Sequence, residues 1–178
     1  MDIAIAMRKE HGIVTNMHLT CTNIEAEKVT AALEQAKESG IRNIVALRGD
    51  APEGQATWET TAGGFACAAD LVAYIRKQFG DAFCISVAGY PEGHPEKIKE
   101  VAGGRAALSV SEQTRYSAQT NEDGSESVFV CSDADYAQEL LYLKAKVDAG
   151  ADFIITQMFF DVEVRALVGT LGRLALPC

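Results

Sequence analysis

The chain has little of what would place it in a membrane or on nucleic acid. No stretch approaches the roughly 18 consecutive apolar residues of a membrane helix. The start, Met1-Asp-Ile-Ala-Ile-Ala-Met-Arg-Lys9, has no basic segment ahead of its apolar part, as a secretory leader requires. Positive charge is scarce: 16 Lys and Arg against 25 Asp and Glu give a net charge of −9, whereas a duplex nucleic-acid partner needs a basic face. The five cysteines, Cys21, Cys67, Cys84, Cys131 and Cys178, include no Cys-x-x-Cys pair, which argues against zinc and thiol exchange and leaves free or buried thiols. Neither Gly-x-Gly-x-x-Gly nor a P-loop signature occurs, which counts against an open-sheet nucleotide binder. What is present, 48% hydrophobic and 23% charged residues at a mean hydropathy of +0.01, suffices for a globular core. The expectation is a cytoplasmic protein that acts on a small molecule, with no membrane and no nucleic-acid partner.

Four short apolar runs carry most of the information. They are Asn16 to Cys21, Asn43 to Asp50, Cys84 to Glu96 and Phe153 to Phe160, each ending in a polar cluster. Nearly continuous apolar strands suit a parallel sheet buried on both faces, and ligands collect at the carboxyl ends of such strands. The polar clusters therefore read as one active-site rim.

Helical periods separate the runs. Thr22-Asn-Ile-Glu25 has the pattern of a capping box, and Ile24, Val29, Ala32, Leu33 and Ala36 form an apolar stripe that Gly40 stops. A second helix is expected over about Phe65 to Phe79, with Leu71, Val72 and Ile75 inward and Gly80 after it. A third is expected from about Asp133 to Ala149, with Ser132 as N-cap, Leu140, Leu143 and Val147 on one face and Gly150 at the end. Asp2 to Glu10 reads as the tail of a helix that precedes the first strand. Alternating strands and helices predict right-handed crossovers and a parallel sheet, either open or closed as a (β/α)8 barrel. A barrel takes about 250 residues, and this chain has 178 with four confident strands, so either the sheet is open or the barrel is partial, and both ends look cut.

One interval breaks the rhythm. Residues 97 to 132 contain Gly103-Gly104 and the polar stretch Ser117 to Ser127, and long loops inside compact domains are usually insertions or lids. A mobile insertion is expected, with a lid as the sharper alternative and Val128 to Cys131 as a short return strand.

Taken together the motifs resemble the catalytic domain of the methylenetetrahydrofolate reductase family. They are His-Leu-Thr-Cys at 18–21, Ala-Leu-Arg-Gly-Asp at 46–50, Trp58 followed by Gly63-Gly-Phe65, Val-Ala-Gly-Tyr-Pro-Glu-Gly-His-Pro-Glu at 87–96, and Ala-Gly-Ala-Asp-Phe-Ile-Ile-Thr-Gln-Met-Phe-Phe at 149–160. The resemblance implies one incomplete TIM-type (β/α)8 barrel domain over 1–178, holding about the third to sixth β/α units. It also implies FAD as cofactor, NAD(P)H as reductant and a folate substrate, in one-carbon and methionine metabolism.

The resemblance carries roles to individual positions. His18 matches a flavin-contacting histidine, although a lone histidine is more often an ordinary rim group. Arg48, Gly49 and Asp50 match a flavin-binding turn, and Asp50 is the candidate catalytic carboxylate beside the reactive end of the flavin. Ala88, Tyr90, His94 and Pro95 match the flavin loop after the fifth barrel strand. A proline turn is the plainer reading of that stretch, because Tyr-Pro and His-Pro both favour turn geometry. Lys146 matches a basic residue near the FAD phosphates or ribose; taken alone it reads as a solvated helix lysine. Gln157 matches the folate-binding glutamine, whose amide donates and accepts at once. Two positions depart from the family pattern. Cys67-Ala68 stands where a tyrosine-alanine pair is usual, so only Ala68 carries over, and Glu139 replaces an aspartate. No metal ligand set is implied.

The general acid of the family, a glutamate in a Phe-Phe-x-Pro-Pro context, has no counterpart in this sequence. Three readings follow: the central part of a flavin-dependent reductase, a non-catalytic form that binds flavin or pairs with another chain through open strand edges, or an unrelated parallel α/β domain. A homo-oligomer is compatible with the first two.

Overall fold

A computed structural model describes residues 2–21, 24–49 and 63–159. In chain order these form helix α1 (Asp2–His11), strand β1 (Asn16–Thr20), helix α2 (Ala26–Glu38), strand β2 (Asn43–Leu47), helix α3 (Ala68–Phe79) and strand β3 (Cys84–Gly89). Strands β4 (Ile98–Glu100), β5 (Ser117–Thr120) and β6 (Glu126–Cys131), helix α4 (Asp133–Asp148) and strand β7 (Phe153–Thr156) follow. The chain divides into two compact units, Met1–Ala88 with Ala145–Ile155, and Gly89–Lys144 with Thr156–Cys178.

The first unit is built on a four-stranded parallel sheet in the order β1-β2-β3-β7. Asn16 pairs with Asn43, and Ile44 with Ile85. In the two central strands three consecutive residues are buried, Ile44, Val45 and Ala46 in β2 and Ile85, Ser86 and Val87 in β3. Burial without alternation is the signature of a sheet covered on both faces. Ser86 is tolerated there because its hydroxyl donates to the Ile44 carbonyl at 3.0 Å. The outer strands differ: β1 buries only Leu19, and β7 leaves Phe153 and Ile155 exposed.

Two helices bury the expected stripes, Val29, Leu33 and Ala36 from α2 and Ala68, Leu71, Val72 and Ile75 from α3. Their starts are later than expected. Helix α2 is preceded by Glu25 in an extended conformation with no side-chain cap bond, so Glu25 stands at the cap and not at the third helical position; Thr22 lies outside the described residues. Helix α3 starts at Ala68 rather than Phe65. Phe65 instead packs its ring against Tyr74 with centroids 4.9 Å apart, which holds the chain off the helical path. Ser132 does cap α4: its hydroxyl accepts the Asp135 amide at 3.1 Å and donates to the Asp135 carboxylate at 2.9 Å. The end of α4 is a Schellman turn, in which Ala151 N–H reaches the Lys146 carbonyl and Gly150 N–H the Val147 carbonyl. Gly150 takes φ 113° there, a region open to glycine. Helix α1 buries no residue.

In the second unit, the interval from 97 to 132 carries more regular structure than its sequence advertises. Strands β4, β6 and β5 form an antiparallel sheet in that order, packed around Leu108, Val128 and Val130 with Val101 and Tyr116 against them. The polar stretch Ser117 to Ser127 is a hairpin. Asn121 N–H donates to the Ser125 carbonyl at 2.8 Å, and the Asp123 carboxylate accepts the Ser125 amide at 2.9 Å. It reads as a loop because β5 is exposed throughout and only β6 buries apolar side chains. The return strand expected at Val128 to Cys131 is the second half of β6.

A polar cluster joins this sheet to the start of α4. Asp133 accepts from Ser109 Oγ at 2.7 Å, from Ser111 Oγ at 2.6 Å and from the Arg115 guanidinium. The Arg115 bond, followed by those from Ser111 and Ser109, holds the Asp133 carboxyl down to about 2 from an ordinary 3.8. A depressed carboxylate stabilises the fold above its ordinary value, and that contribution is lost as pH falls through the folded value. Asp133→Asn is therefore expected to unfold at lower urea than the parent at pH 7, with the gap closing between about pH 4 and pH 2. A gap of constant size down to pH 2 would contradict it.

Candidate functional site

The carboxyl ends of β1 and β2 are tied to each other. Cys21 N–H lies 3.1 Å from the Leu47 carbonyl and 3.2 Å from that of Arg48, and its thiol points at the Arg48 carbonyl at 3.6 Å. Burial pushes this thiol up to about 11, so it stays protonated and supports the turn rather than attacking anything. Arg48 is half-buried, and its Nε reaches the Gly49 carbonyl at 3.4 Å. Asp50 and Trp58 lie outside the described residues.

His18 is not at the end of its strand. It is the third of five residues in β1, exposed and paired in register with Val45, and period two puts it on the face opposite the buried Leu19. Ala68, the one residue carried over from Cys67-Ala68, is buried in the first turn of α3. Lys146 is the clearest surprise of this unit. It is 4% exposed, and its ammonium donates to the Ala88 carbonyl at 2.6 Å. A buried ammonium needs such acceptors, so this is no solvated helix lysine.

In the second unit the chain leaves β3 through a tight turn. Gly93 N–H closes on the Tyr90 carbonyl at 3.0 Å, and the Tyr90 and His94 rings meet edge to face with centroids 4.7 Å apart. His94 Nδ1 accepts the Glu96 amide at 3.3 Å and caps the short turn Pro95–Lys97. With Nδ1 an acceptor, the neutral ring carries its proton on Nε2, which presents a donor. Glu139 is half-buried on α4. Gln157 donates its backbone N–H to the Gly89 carbonyl at 2.8 Å while its side chain is exposed.

Three supporting residues of this unit escape sequence reasoning. Tyr136 is buried and donates its hydroxyl to the Pro91 carbonyl at 2.9 Å. Cys131 sits so close beneath Gly93 that a Cβ there would lie 2.7 Å from its sulfur. Arg115 is buried against the Tyr136 ring, 4.5 Å from guanidinium to centroid. A faint signal exists for Tyr136, which precedes Glu139 by three residues on the same helix and so shares its face. Nothing marks Cys131 or Arg115.

Among the described residues no group of His, Cys, Asp and Glu could hold a metal ion, and no helix is long and apolar enough to cross a membrane.

Comparison with known proteins agrees with the motifs. The family model described as methylenetetrahydrofolate reductase matches residues 1–166. A maize (Zea mays) protein named "Methylenetetrahydrofolate reductase (NADH) 1" is 44% identical over all of this chain, which spans 26% of that protein. A rice (Oryza sativa subsp. japonica) protein named "Probable methylenetetrahydrofolate reductase (NADH)" is 43% identical with the same coverage of each chain, 100% and 26%. A Caenorhabditis elegans protein named "Probable methylenetetrahydrofolate reductase (NADPH)" is 35% identical over 91% of this chain and 19% of its own length. The chain thus spans about a quarter of the plant relatives it matches. With a family model matched over residues 1–166 of 178, the chain belongs to the methylenetetrahydrofolate reductase family.

Proposed function

We propose that this chain supplies the central part of a reductase that converts 5,10-methylenetetrahydrofolate to 5-methyltetrahydrofolate with FAD as cofactor and NAD(P)H as reductant, in the cytoplasm. The family resemblance assigns His18, Arg48, Gly49, Asp50, Ala68, Ala88 and Lys146 to FAD in the first unit, and Tyr90, His94, Pro95 and Glu139 in the second. Gln157 is assigned to the folate. The four parallel strands would be the third to sixth of a (β/α)8 barrel, a reading supported by their sequential order and their intervening helices.

The observation that carries the proposal is the preorganised turn from Tyr90 to His94. Its two rings are already set edge to face, and its imidazole presents an Nε2 donor, a combination suited to an acceptor-rich flavin ring. When bound, FAD would carry hydride from the nicotinamide to the methylene carbon of the folate. The side chains of this protein bind and orient. His94 offers a donor and Lys146 brings positive charge to the end of β3, and the resemblance gives Asp50 the role of a negative charge that tunes the flavin. The Gln157 amide matches the paired donor and acceptor edge of a pterin.

Titrating the 178-residue chain with FAD and following flavin fluorescence tests the proposal. Saturable binding is expected, weakened at least ~10-fold in an Asp50→Ala, His18→Ala double variant, as loss of two charged or hydrogen-bonding contacts implies. No binding by the folded chain would overturn the reading that these strands by themselves form a flavin site. Binding without NAD(P)H-dependent turnover would support the cofactor site and not the reductase activity of the chain by itself.

A further inference from the structure

The residues assigned above to the cofactor leave unexplained a buried arginine in the second unit. Arg115 is 5% exposed, and every nitrogen of its guanidinium is engaged. Nε donates to the Cys131 carbonyl at 3.1 Å, Nη1 to the Ser111 carbonyl at 3.0 Å and Nη2 to Asp133. Its planar face lies on the ring of Tyr136, whose hydroxyl donates to the Pro91 carbonyl. Cys131 in turn packs against Gly93. Pro91 and Gly93 are both members of the turn that ends in His94.

Within the turn Gly93 N–H bonds the Tyr90 carbonyl and the Tyr90 and His94 rings meet, while Pro91 has no amide to donate. The Tyr136 hydroxyl touches it at Pro91 and the Cys131 side chain at Gly93. Arg115 contacts both supports, bonding the backbone of one and stacking on the ring of the other. A planar, multidentate cation suits this geometry, whereas a lysine ammonium is a single point on a flexible stem. On α4, Tyr136 and Glu139 are three residues apart and fall on one helical face, so the ring that Arg115 covers lies on the face that carries Glu139.

We propose that Arg115 and Tyr136 are positioning residues for the Tyr90–His94 turn, so that the antiparallel sheet of the second unit serves as a buttress for cofactor binding. The proposal rests on the flavin reading above and extends it to residues that touch no cofactor.

Tyr136→Phe is the decisive variant, because it keeps the ring under Arg115 and removes only the hydroxyl. In the full chain, hydrogen exchange at the Gly93 amide is measured alongside FAD affinity, with the thermal midpoint as a control for global stability. Expected are faster Gly93 exchange and FAD binding about three- to tenfold weaker, the loss of one buried hydrogen bond, at a midpoint close to that of the parent. Arg115→Ala is expected to weaken FAD binding further, and Arg115→Lys to recover only part of it. Should Arg115→Ala not fold, Tyr136→Phe decides alone. Unchanged Gly93 exchange in Tyr136→Phe overturns the proposal. Faster exchange in a chain whose parent binds no FAD would overturn the flavin reading and leave the buttress standing, whereas faster exchange with unchanged FAD affinity overturns the buttress as a device for cofactor binding.

Discussion

Gly93→Ala is expected to lose about 2–5 kcal/mol of stability, the sum of overpacking and left-handed backbone strain. Gly93 has φ 97°, and a Cβ added there would overlap the Cβ of Cys131 and stand 2.7 Å from its sulfur. The obstacle is the root of a buried side chain on β6 and not its flexible end, so a rotamer change cannot relieve it. Urea unfolding measures the loss directly. A second substitution separates its two causes: Cys131→Gly removes the obstructing Cβ and should restore part of the stability of Gly93→Ala, while Cys131→Ser keeps that Cβ and should restore none. The residual loss in Gly93→Ala with Cys131→Gly reports the backbone strain together with the cavity left by the thiol. Stability of Gly93→Ala within about 0.5 kcal/mol of the parent, the range of an ordinary surface change, would show that the turn moves freely away from Cys131.

Arg76→Ala is the second substitution with a large expected cost. The Arg76 guanidinium donates to the carbonyls of Gly150 at 2.8 Å, Gly80 at 3.1 Å and Phe83 at 2.8 Å, and pairs with the Asp152 carboxylate. Asp152 in turn accepts the Ile85 amide at 2.6 Å and donates its own N–H to the Ile85 carbonyl at 2.7 Å. One side chain thus connects the end of α3, the entry to β3 and the Schellman turn before β7. All of these lie at the amino ends of β3 and β7, away from the carboxyl ends at which parallel sheets collect ligands. The Asp152 side chain is 45% exposed, so solvent screens the pair, and the expected loss is about 2–4 kcal/mol, carried mostly by the carbonyl bonds. Arg76→Lys should recover less than half, since one ammonium cannot span acceptors that far apart in a fixed plane. Equilibrium denaturation checks the size. Stability within about 0.5 kcal/mol of the parent would contradict this role for Arg76.

These two substitutions mark where sequence reasoning succeeds and where it stops. The four parallel strands were legible because burial on both faces leaves consecutive apolar residues, as in Ile44-Val-Ala46 and Ile85-Ser-Val87. Helical stripes and stops were legible because a period of 3.6 is written in the chain, and Leu71, Val72 and Ile75 are inside as that period requires. The starts of α2 and α3 were misplaced for a common reason. Local signals such as Thr22-x-x-Glu25 and the apolar Phe65 compete with tertiary contacts, and the ring contact with Tyr74 keeps Phe65 out of the helix.

The hairpin of β5 and β6 was illegible from composition, since a strand exposed on both sides has no apolar pattern to display. Its existence follows from pairing with β6, a contact between residues as far apart as Ser117 and Phe129. The same holds at the candidate site. The sequence by itself determined the family and the order of strands and helices, because motifs and periodicities are local properties of a chain. Only the tertiary structure decided that Lys146 is buried on the Ala88 carbonyl, that Gly93 rests on Cys131, and that Arg115 reaches the His94 turn through Tyr136. Each of these depends on which distant atoms meet, and that is settled by packing the whole chain at once, not by any window of it.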